Sequence, residues 1–288
     1  MKRSGILFLF VFGSLGVLLI APLIGDRIVP PAAVFQPVPG DPLTMIFWEI
    51  RFPRACLAWI AGAGLAVAGM VFQAMFRNPL ATPFTLGVSS GASLGAAVGV
   101  RLGLGTAFLG FSGITAGAML GALLAIGVVY GLTRLRGDYS TGTMLLAGVA
   151  VNFFFSSLIL LIQYTADFYD TFRILRWLMG GLQMVGLDAP LQVLPIVVVG
   201  AAILAAMVGE LDLLTTGEEL AASRGVAVGR VKNIFFLSVS VMVGAIVSIC
   251  GPVGFIGLMC PHICRLIVGP DHRRLLPATL LFGGAFLV

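Results

Sequence analysis

The stretch NIFFLSVSVMVGAIVSICGPVGFIGLMCPHIC, residues 233–264, runs for 32 residues without a charged side chain. As a single helix it would be about 48 Å long, whereas the hydrocarbon core of a bilayer is about 30 Å thick. The chain therefore has to turn back within this stretch. Gly251, Pro252 and Gly254 supply the break, because proline removes a helical hydrogen-bond donor and glycine accepts the dihedral angles of a turn. We expect two membrane helices here, of which the second is short.

The whole chain shares this apolar character. Of its 288 residues, 59% are hydrophobic and 10% are charged, against about 45–50% and 25% in soluble domains. A soluble fold cannot bury so much apolar surface, so we predict an all-α, polytopic membrane helix bundle that forms one domain over residues 1–288. The predicted spans lie near residues 5–25, 55–76, 84–104, 106–132, 142–164, 190–209, 233–251 and 255–268, and a ninth begins near residue 275.

The positions of lysine and arginine predict the orientation of the bundle. With the N-terminus in the cytoplasm, eleven of the 17 basic residues lie on the inner side: Lys2, Arg3, Arg77, Arg134, Arg136, Arg224, Arg230, Lys232, Arg265, Arg273 and Arg274. Cytoplasmic loops are normally the basic ones, so this orientation is favoured. It places the polar segment 210–232 in the cytoplasm. The first apolar run exceeds the core of a signal peptide, about 7–15 residues, so we expect it to remain as a span.

Two neighbouring spans carry glycine at every fourth position. The glycines are Gly87, Gly91, Gly95, Gly99 and Gly103 in the third span and Gly113, Gly117 and Gly121 in the fourth. Stripes of small residues let membrane helices approach closely. The pattern predicts that the third and fourth spans pack against each other, and it names no function.

The sequence offers no motif for ATP hydrolysis or for other enzymatic chemistry. Neither of its two lysines follows a phosphate-binding loop, and there is no zinc-protease motif or nucleophile elbow. The span interiors lack the ionisable residues of a proton or sodium relay. Cys260, His262 and Cys264 alternate along a helix, so they cannot ligate one metal ion. We expect a protein that is not an enzyme and holds no metal or cofactor; if it transports, a partner subunit binds the ATP.

Four blocks of sequence resemble the permease subunits of FecCD-type ABC importers for ferric siderophores, haem or cobalamin. The blocks are EIRFPRACLAWIAGAGLAVAGMVFQAMFRNPLATPFTLGVSSGA at 49–92, WLMGGL at 177–182, GEELAASRGV at 217–226 and GPVGFIGLMCPHICRLIVGPDHRRLLP at 251–277. The resemblance implies a subunit of ten helices. This chain would hold eight of them and an incomplete ninth, so we expect the C-terminal part to be missing.

The resemblance also implies partners and a location. A second permease copy would form the path at a dimer axis, with two ATP-binding subunits on the cytoplasmic side and a periplasmic substrate-binding protein opposite. The complex would lie in the bacterial inner membrane. Nucleic acid is not expected, because the basic residues are dispersed. The cargo would be an iron chelate, with haem or cobalamin as the alternative. An ion-coupled secondary transporter and a structural scaffold are the competing classes.

Two sets of site residues follow from the resemblance. Arg51 and Arg54 would dock the binding protein, although arginines at a membrane interface also snorkel. The residues that would couple to the ATPase are Gly217, Glu218, Glu219, Ala221, Arg224 and Gly225. Thr216 and Glu219 offer a capping box for this coupling helix, and Gly225 offers its stop. The alternative is a solvated connector.

A third set concerns the path itself. Ser89, Ser90, Ser140 and Thr141 resemble residues of the family's cytoplasmic gate, and Asn152 and Gln163 are polar residues of the fifth span that could face the path. Helix caps and interhelical hydrogen bonds explain these residues equally well. The second and third spans also resemble the seventh and eighth. Because that offset of five spans is odd, the two halves would form an inverted repeat.

Overall fold

A computed structural model describes residues 3–35, 41–105, 112–135, 141–182 and 186–288. The helices are α1 Arg3–Ile20, α2 Pro31–Phe35, α3 Pro42–Met45, α4 Phe52–Met75, α5 Val88–Arg101, α6 Gly113–Leu135, α7 Thr141–Thr165, α8 Phe168–Leu178, α9 Asp188–Ala206, α10 Val208–Thr215, α11 Glu218–Ser223, α12 Val228–Cys250, α13 Ile256–Val268 and α14 His272–Leu287. A π-helical turn, Ile46–Arg51, joins α3 to α4, and short 3-10 helices lie at Ala21–Leu23 and Pro83–Leu86. These ranges contain no strand, which confirms the all-α class.

Each of the nine predicted spans has a helix as its counterpart. Within the described residues, six helical stretches are long and apolar enough to cross a membrane: Gly5–Leu23, Pro42–Met75, Gly113–Leu135, Gly142–Thr165, Asp188–Ala206 and Val228–Cys250. The other three counterparts are α5, α13 and α14, which are shorter. The chain thus forms a multi-pass bundle with two ends. We call them the α11 end and the α8 end after the short helices that lie there.

Helix α4 is the centre of the bundle and is buried along most of its length. It is rich in glycine and alanine, and this allows α9, α12, α13 and α14 to pack around it. A Cβ atom at Gly62 would overlap the carbonyl of Gly283 in α14, and one at Gly69 would overlap the carbonyl of Gly257 in α13. Backbone therefore touches backbone at both crossings, and no side chain fits between.

Helices α5 and α6 pack along the two predicted glycine stripes. A Cβ atom at Gly91 would overlap the Gly121 carbonyl, and one at Gly95 would overlap the Gly117 carbonyl. The predicted packing of the third and fourth spans is therefore confirmed.

Helices α5 and α13 are too short to cross a bilayer alone. With 14 and 13 residues, they rise by about 21 Å and 20 Å against a core of about 30 Å. The residue before each helix lies in the left-handed region, Gly87 with φ of 78° and Phe255 with φ of 68°. A break in the α-helical backbone thus precedes each helix. This similarity accords with the inverted repeat, which stays a prediction.

The structure departs from the sequence prediction around the polar segment 210–232. Residues 208–215 form α10, so Glu210 and Asp212 lie on a helix and not in a connector. The capping box is wrong: Gly217 is the residue before α11, and the hydroxyl of Thr216 donates to the Leu213 carbonyl at the end of α10. Helix α8, between the fifth and sixth predicted spans, was not predicted.

Candidate functional site

A groove of about 450 Å³ lies between α5, α7 and α8. Its polar lining consists of Ser89, Ser90 and Ser93 from α5 and Asn152, Ser156 and Gln163 from α7. Apolar side chains complete the wall, among them Leu175 and Leu178 of α8. The structure thus brings together four residues predicted for the gate or path, namely Ser89, Ser90, Asn152 and Gln163. Ser140 and the side chain of Thr141 lie outside the described residues.

The polar lining is only partly satisfied by local hydrogen bonds. The Ser90 hydroxyl donates to the Gly87 carbonyl at 3.0 Å, in its own helical turn, so part of its role is local. The Gln163 amide nitrogen Nε2 is buried and has no hydrogen-bond partner among the described residues. Burial of an unpaired amide is costly in a membrane. Within the described residues, no interhelical hydrogen bond therefore engages Nε2 of Gln163, a residue that lines the groove.

Sequence reasoning missed Ser93 and Ser156, which also line the groove. Ser93 lies four residues after Ser89, and Ser156 lies four residues after Asn152. Positions four apart share one helix face. This spacing was the pattern that could have identified both.

The predicted coupling segment forms the short helix α11 between two glycines. Gly217 has φ of 124° and Gly225 has φ of 86°, conformations that L side chains rarely adopt. The helix ends at Ser223, and Gly225 supplies the predicted stop. The Val226 amide donates to the Ala221 carbonyl at 3.1 Å and the Gly225 amide donates to the Ala222 carbonyl at 3.0 Å. These two bonds form a Schellman motif.

One face of α11 anchors it to the bundle and the other is exposed. Ala221 is fully buried, and Glu218 accepts a hydrogen bond of 2.6 Å from Lys232 of α12, whose side chain is 1% exposed. Glu219, Leu220 and Arg224 are exposed. Leu220, which sequence reasoning did not single out, is a large apolar side chain on this exposed face.

The two arginines predicted to dock a binding protein lie at the α8 end, in different environments. Arg51 is half-buried, packs against Gly25 and donates from Nη1 to the Pro22 carbonyl at 3.4 Å. Arg54 is exposed and donates from Nε to the Leu182 carbonyl at 3.1 Å. Arg54 is therefore the more accessible of the two.

The block at 251–277 is tied to α4 by a buried glutamine. Pro261 has no amide hydrogen, so the carbonyl of Gly257 one turn earlier lacks its helical donor. Gln73 replaces that donor: its Nε2 lies 3.3 Å from the carbonyl oxygens of Gly257 and Leu258. Arg265 orients the amide by donating from Nη2 to Gln73 Oε1 at 3.1 Å. Pro261 and Arg265 thus belong to one contact between α4 and α13.

No group of three or more His, Cys, Asp or Glu side chains able to hold a metal ion occurs in the part of the chain that the structure describes. His262 is exposed on α13.

Comparison with solved structures identifies the class of protein. A metal-chelate type ABC transporter in an inward-facing conformation matches with a TM-score of 0.84 and 29% identity, over 99% of this chain and 88% of that one. The chain therefore has the fold of an ABC transporter permease. A family model described as the FecCD transport family matches residues 9–288, and the chain belongs to that family.

Curated relatives agree with this assignment. The uncharacterized ABC transporter permease protein YvrB of Bacillus subtilis is 40% identical over 86% of this chain and 70% of its own length. The cobalamin import system permease protein BtuC of Halobacterium salinarum is 41% identical over 85% and 65%. The hemin transport system permease protein HmuU of Yersinia pestis is 35% identical over 86% and 75%. The chain is thus the permease of an ABC importer and has no ATPase site of its own.

Proposed function

We propose that this chain forms half of the translocation path of an importer for iron chelates such as ferric siderophores. The observation that carries the proposal is the groove between α5, α7 and α8, whose polar lining consists of four serines, Asn152 and Gln163. Among its lining residues none is charged. Hydroxyl and amide groups suit a bulky polar cargo that is released again, because they bind it weakly at several points. Haem or cobalamin is the alternative cargo.

We further propose that a second copy closes the groove. Its wall includes Leu160 of α7, which is 66% exposed, and α7 also exposes Phe153 and Leu161. A homodimer about this face would enclose two such grooves along one axis. Two ATP-binding subunits would contact the exposed face of α11, and a periplasmic binding protein would contact the α8 end. The N-terminus would then lie in the cytoplasm and the complex in the bacterial inner membrane.

Reconstituted vesicles test the proposed function. The permease, its ATP-binding subunits and the binding protein are incorporated with ATP inside or outside, and uptake of a ferric siderophore, haem and cobalamin is measured. We expect uptake of the iron chelate only with ATP on the α11 side. A matched ATP-binding subunit that cannot hydrolyse ATP serves as the control. Uptake independent of ATP would indicate the ion-coupled class, and exclusive uptake of haem or cobalamin would identify the alternative cargo.

Exposed positions on two helices provide a test of the groove with a control. Ser156 of α7 lines the groove, whereas Val199 of α9 is exposed and lies outside both the lining and the α7 face. We expect Ser156→Trp to reduce uptake to the level of vesicles without ATP, because the indole fills the groove. Val199→Trp should retain uptake. Both variants should still assemble with the ATP-binding subunits, and equal uptake by the two would contradict the proposed path.

Arg54 provides a test of docking at the α8 end. We expect Arg54→Glu to slow association of the binding protein about tenfold at low salt, with a smaller effect at high salt, because steering by exposed charges is screened. Arg27→Glu is the matched control, since Arg27 is also exposed at this end. The association rate can be measured by surface plasmon resonance. Equal slowing by both substitutions would indicate a general effect of charge and not a docking contact.

A further inference from the structure

A separate cavity of about 280 Å³ lies at the α11 end, where the end of α4, the end of α10 and the start of α14 meet α13. Its lining includes Gln73, Arg77, Thr215, Arg265 and His272. None of these residues lines the groove between α5, α7 and α8. Two arginines and a histidine thus line one small space that is separate from the groove.

Arg265 has no ion-pair partner within the described residues. The residue is half-buried, and its Nη2 donates to the neutral Gln73. A guanidinium carries five N–H donors, and a partly buried cation without a counter-charge is costly. An anion from outside the chain would supply that counter-charge.

Arg77 occupies a backbone position at which glycine is usual. The Arg77 amide donates to the Ala74 carbonyl at 3.2 Å and the Asn78 amide donates to the Gln73 carbonyl at 3.1 Å, so the end of α4 is a Schellman motif. Arg77 is its left-handed residue, with φ of 48°. Glycine would adopt this conformation without strain, whereas a residue with a Cβ atom does not. The position nevertheless adds a second arginine to the cavity lining; Arg77 is exposed and has no ion pair in the described ranges.

His272 adds a buried atom that lacks a partner. The residue is 4% exposed, and its Nδ1 lies 2.5 Å from Asp212 Oδ1, so Nδ1 carries the hydrogen and donates it. The other ring nitrogen, Nε2, is buried and makes no hydrogen bond within the described residues. Asp212 is engaged by the Nδ1 side of the ring, and His272 is one of the residues that line the cavity.

We propose that this cavity binds one phosphate group between Arg77, Arg265 and His272. Phosphate oxygens accept paired hydrogen bonds from guanidinium groups. A hydroxyl group, on the phosphate itself or on a glycerol attached to it, would donate to Nε2 of His272. The group belongs either to an anionic phospholipid or to free inorganic phosphate. The site is independent of the cargo, because no residue of the groove takes part.

Binding measurements on the permease in complex with its ATP-binding subunits test the site. In one arm, radiolabelled inorganic phosphate is titrated in detergent. In the other, the complex is transferred to nanodiscs of phosphatidylcholine with or without phosphatidylglycerol, and retained lipid is counted by native mass spectrometry. We expect one bound phosphate group per permease chain in one of the two arms, and that arm identifies the source.

Substitutions then locate the site. We expect Arg77→Gln and Arg265→Gln to weaken binding about tenfold. Arg77→Lys should weaken it less, because the charge persists although the paired donors of the guanidinium are lost. Arg273→Gln is the matched control: Arg273 is exposed at the same end and lies outside the cavity lining. Arg265→Gln also disturbs Gln73, but Arg77→Gln leaves that contact intact. The proposal is overturned if the wild-type complex binds in neither arm, or if Arg77→Gln binds as Arg273→Gln does.

Discussion

Replacement of Gly69 by alanine is expected to separate α4 from α13 and to destabilise the permease by about 3 kcal/mol. The added Cβ would overlap the Gly257 carbonyl, and that backbone atom cannot change rotamer to make room. The apparent melting temperature of the purified protein in detergent should fall by about 10 °C. Differential scanning fluorimetry measures this shift.

Gly127 provides the control for that substitution. It lies in the middle of α6 and no atom would contact an added Cβ within 4 Å. Gly127→Ala should therefore leave the melting temperature within about 2 °C of the wild type, since surface substitutions away from special features have small effects. If Gly69→Ala behaves in the same way, the close crossing of α4 and α13 is wrong.

The second large effect is expected for Gln73→Leu. Leucine keeps the volume but removes the amide that serves the Gly257 carbonyl and accepts from Arg265. The Gly257 carbonyl and the Arg265 guanidinium would then lack this partner, so the free energy of unfolding should fall by about 2 kcal/mol. The melting temperature should fall by about 6 °C. Uptake should fall as well, because the short helix α13 loses its polar contact with α4, although the backbone crossing at Gly69 and Gly257 remains.

A second substitution makes this explanation specific. Pro261→Ala restores the amide hydrogen that normally donates to the Gly257 carbonyl within α13, so it should make Gln73 partly redundant. We expect the double variant Gln73→Leu with Pro261→Ala to regain about 1 kcal/mol relative to additive effects, as measured by a double-mutant cycle. Strict additivity of the two substitutions would show that Gln73 does not replace the missing donor.

The spans could be predicted from sequence because a bilayer imposes a length on apolar helices. Helix α8 was not predicted for the same reason: with 11 residues it is too short to be a span. It includes Asp170, Arg173 and Arg176, so its sequence resembles a polar loop. The start of α11 was misplaced because Thr216 has two possible partners. Its hydroxyl donates to the Leu213 carbonyl at the end of α10 instead of capping α11. This alternative cannot be recognised until the end of α10 is known.

The candidate site was predictable to different degrees. Polar residues four apart on α5 and α7 share a helix face, so the polar lining of the groove can be predicted from local spacing in the sequence. The contact of Gln73 with Gly257 joins residues 184 apart in the sequence, and that with Arg265 joins residues 192 apart. No periodicity in a single sequence links such positions. The cavity beside them therefore required the three-dimensional structure.

Helix α12 connects the α11 end of the bundle to the α8 end. Near its start it holds α11, the proposed coupling helix, through Lys232 and Glu218. At its end the Cys250 carbonyl accepts a hydrogen bond of 2.8 Å from the Gly181 amide, just after α8. Its 23 residues form an unbroken rod of about 34 Å. A displacement of the six residues of α11 would thus be transmitted along α12, as one stiff helix, to the α8 end, where α8 forms part of the groove wall.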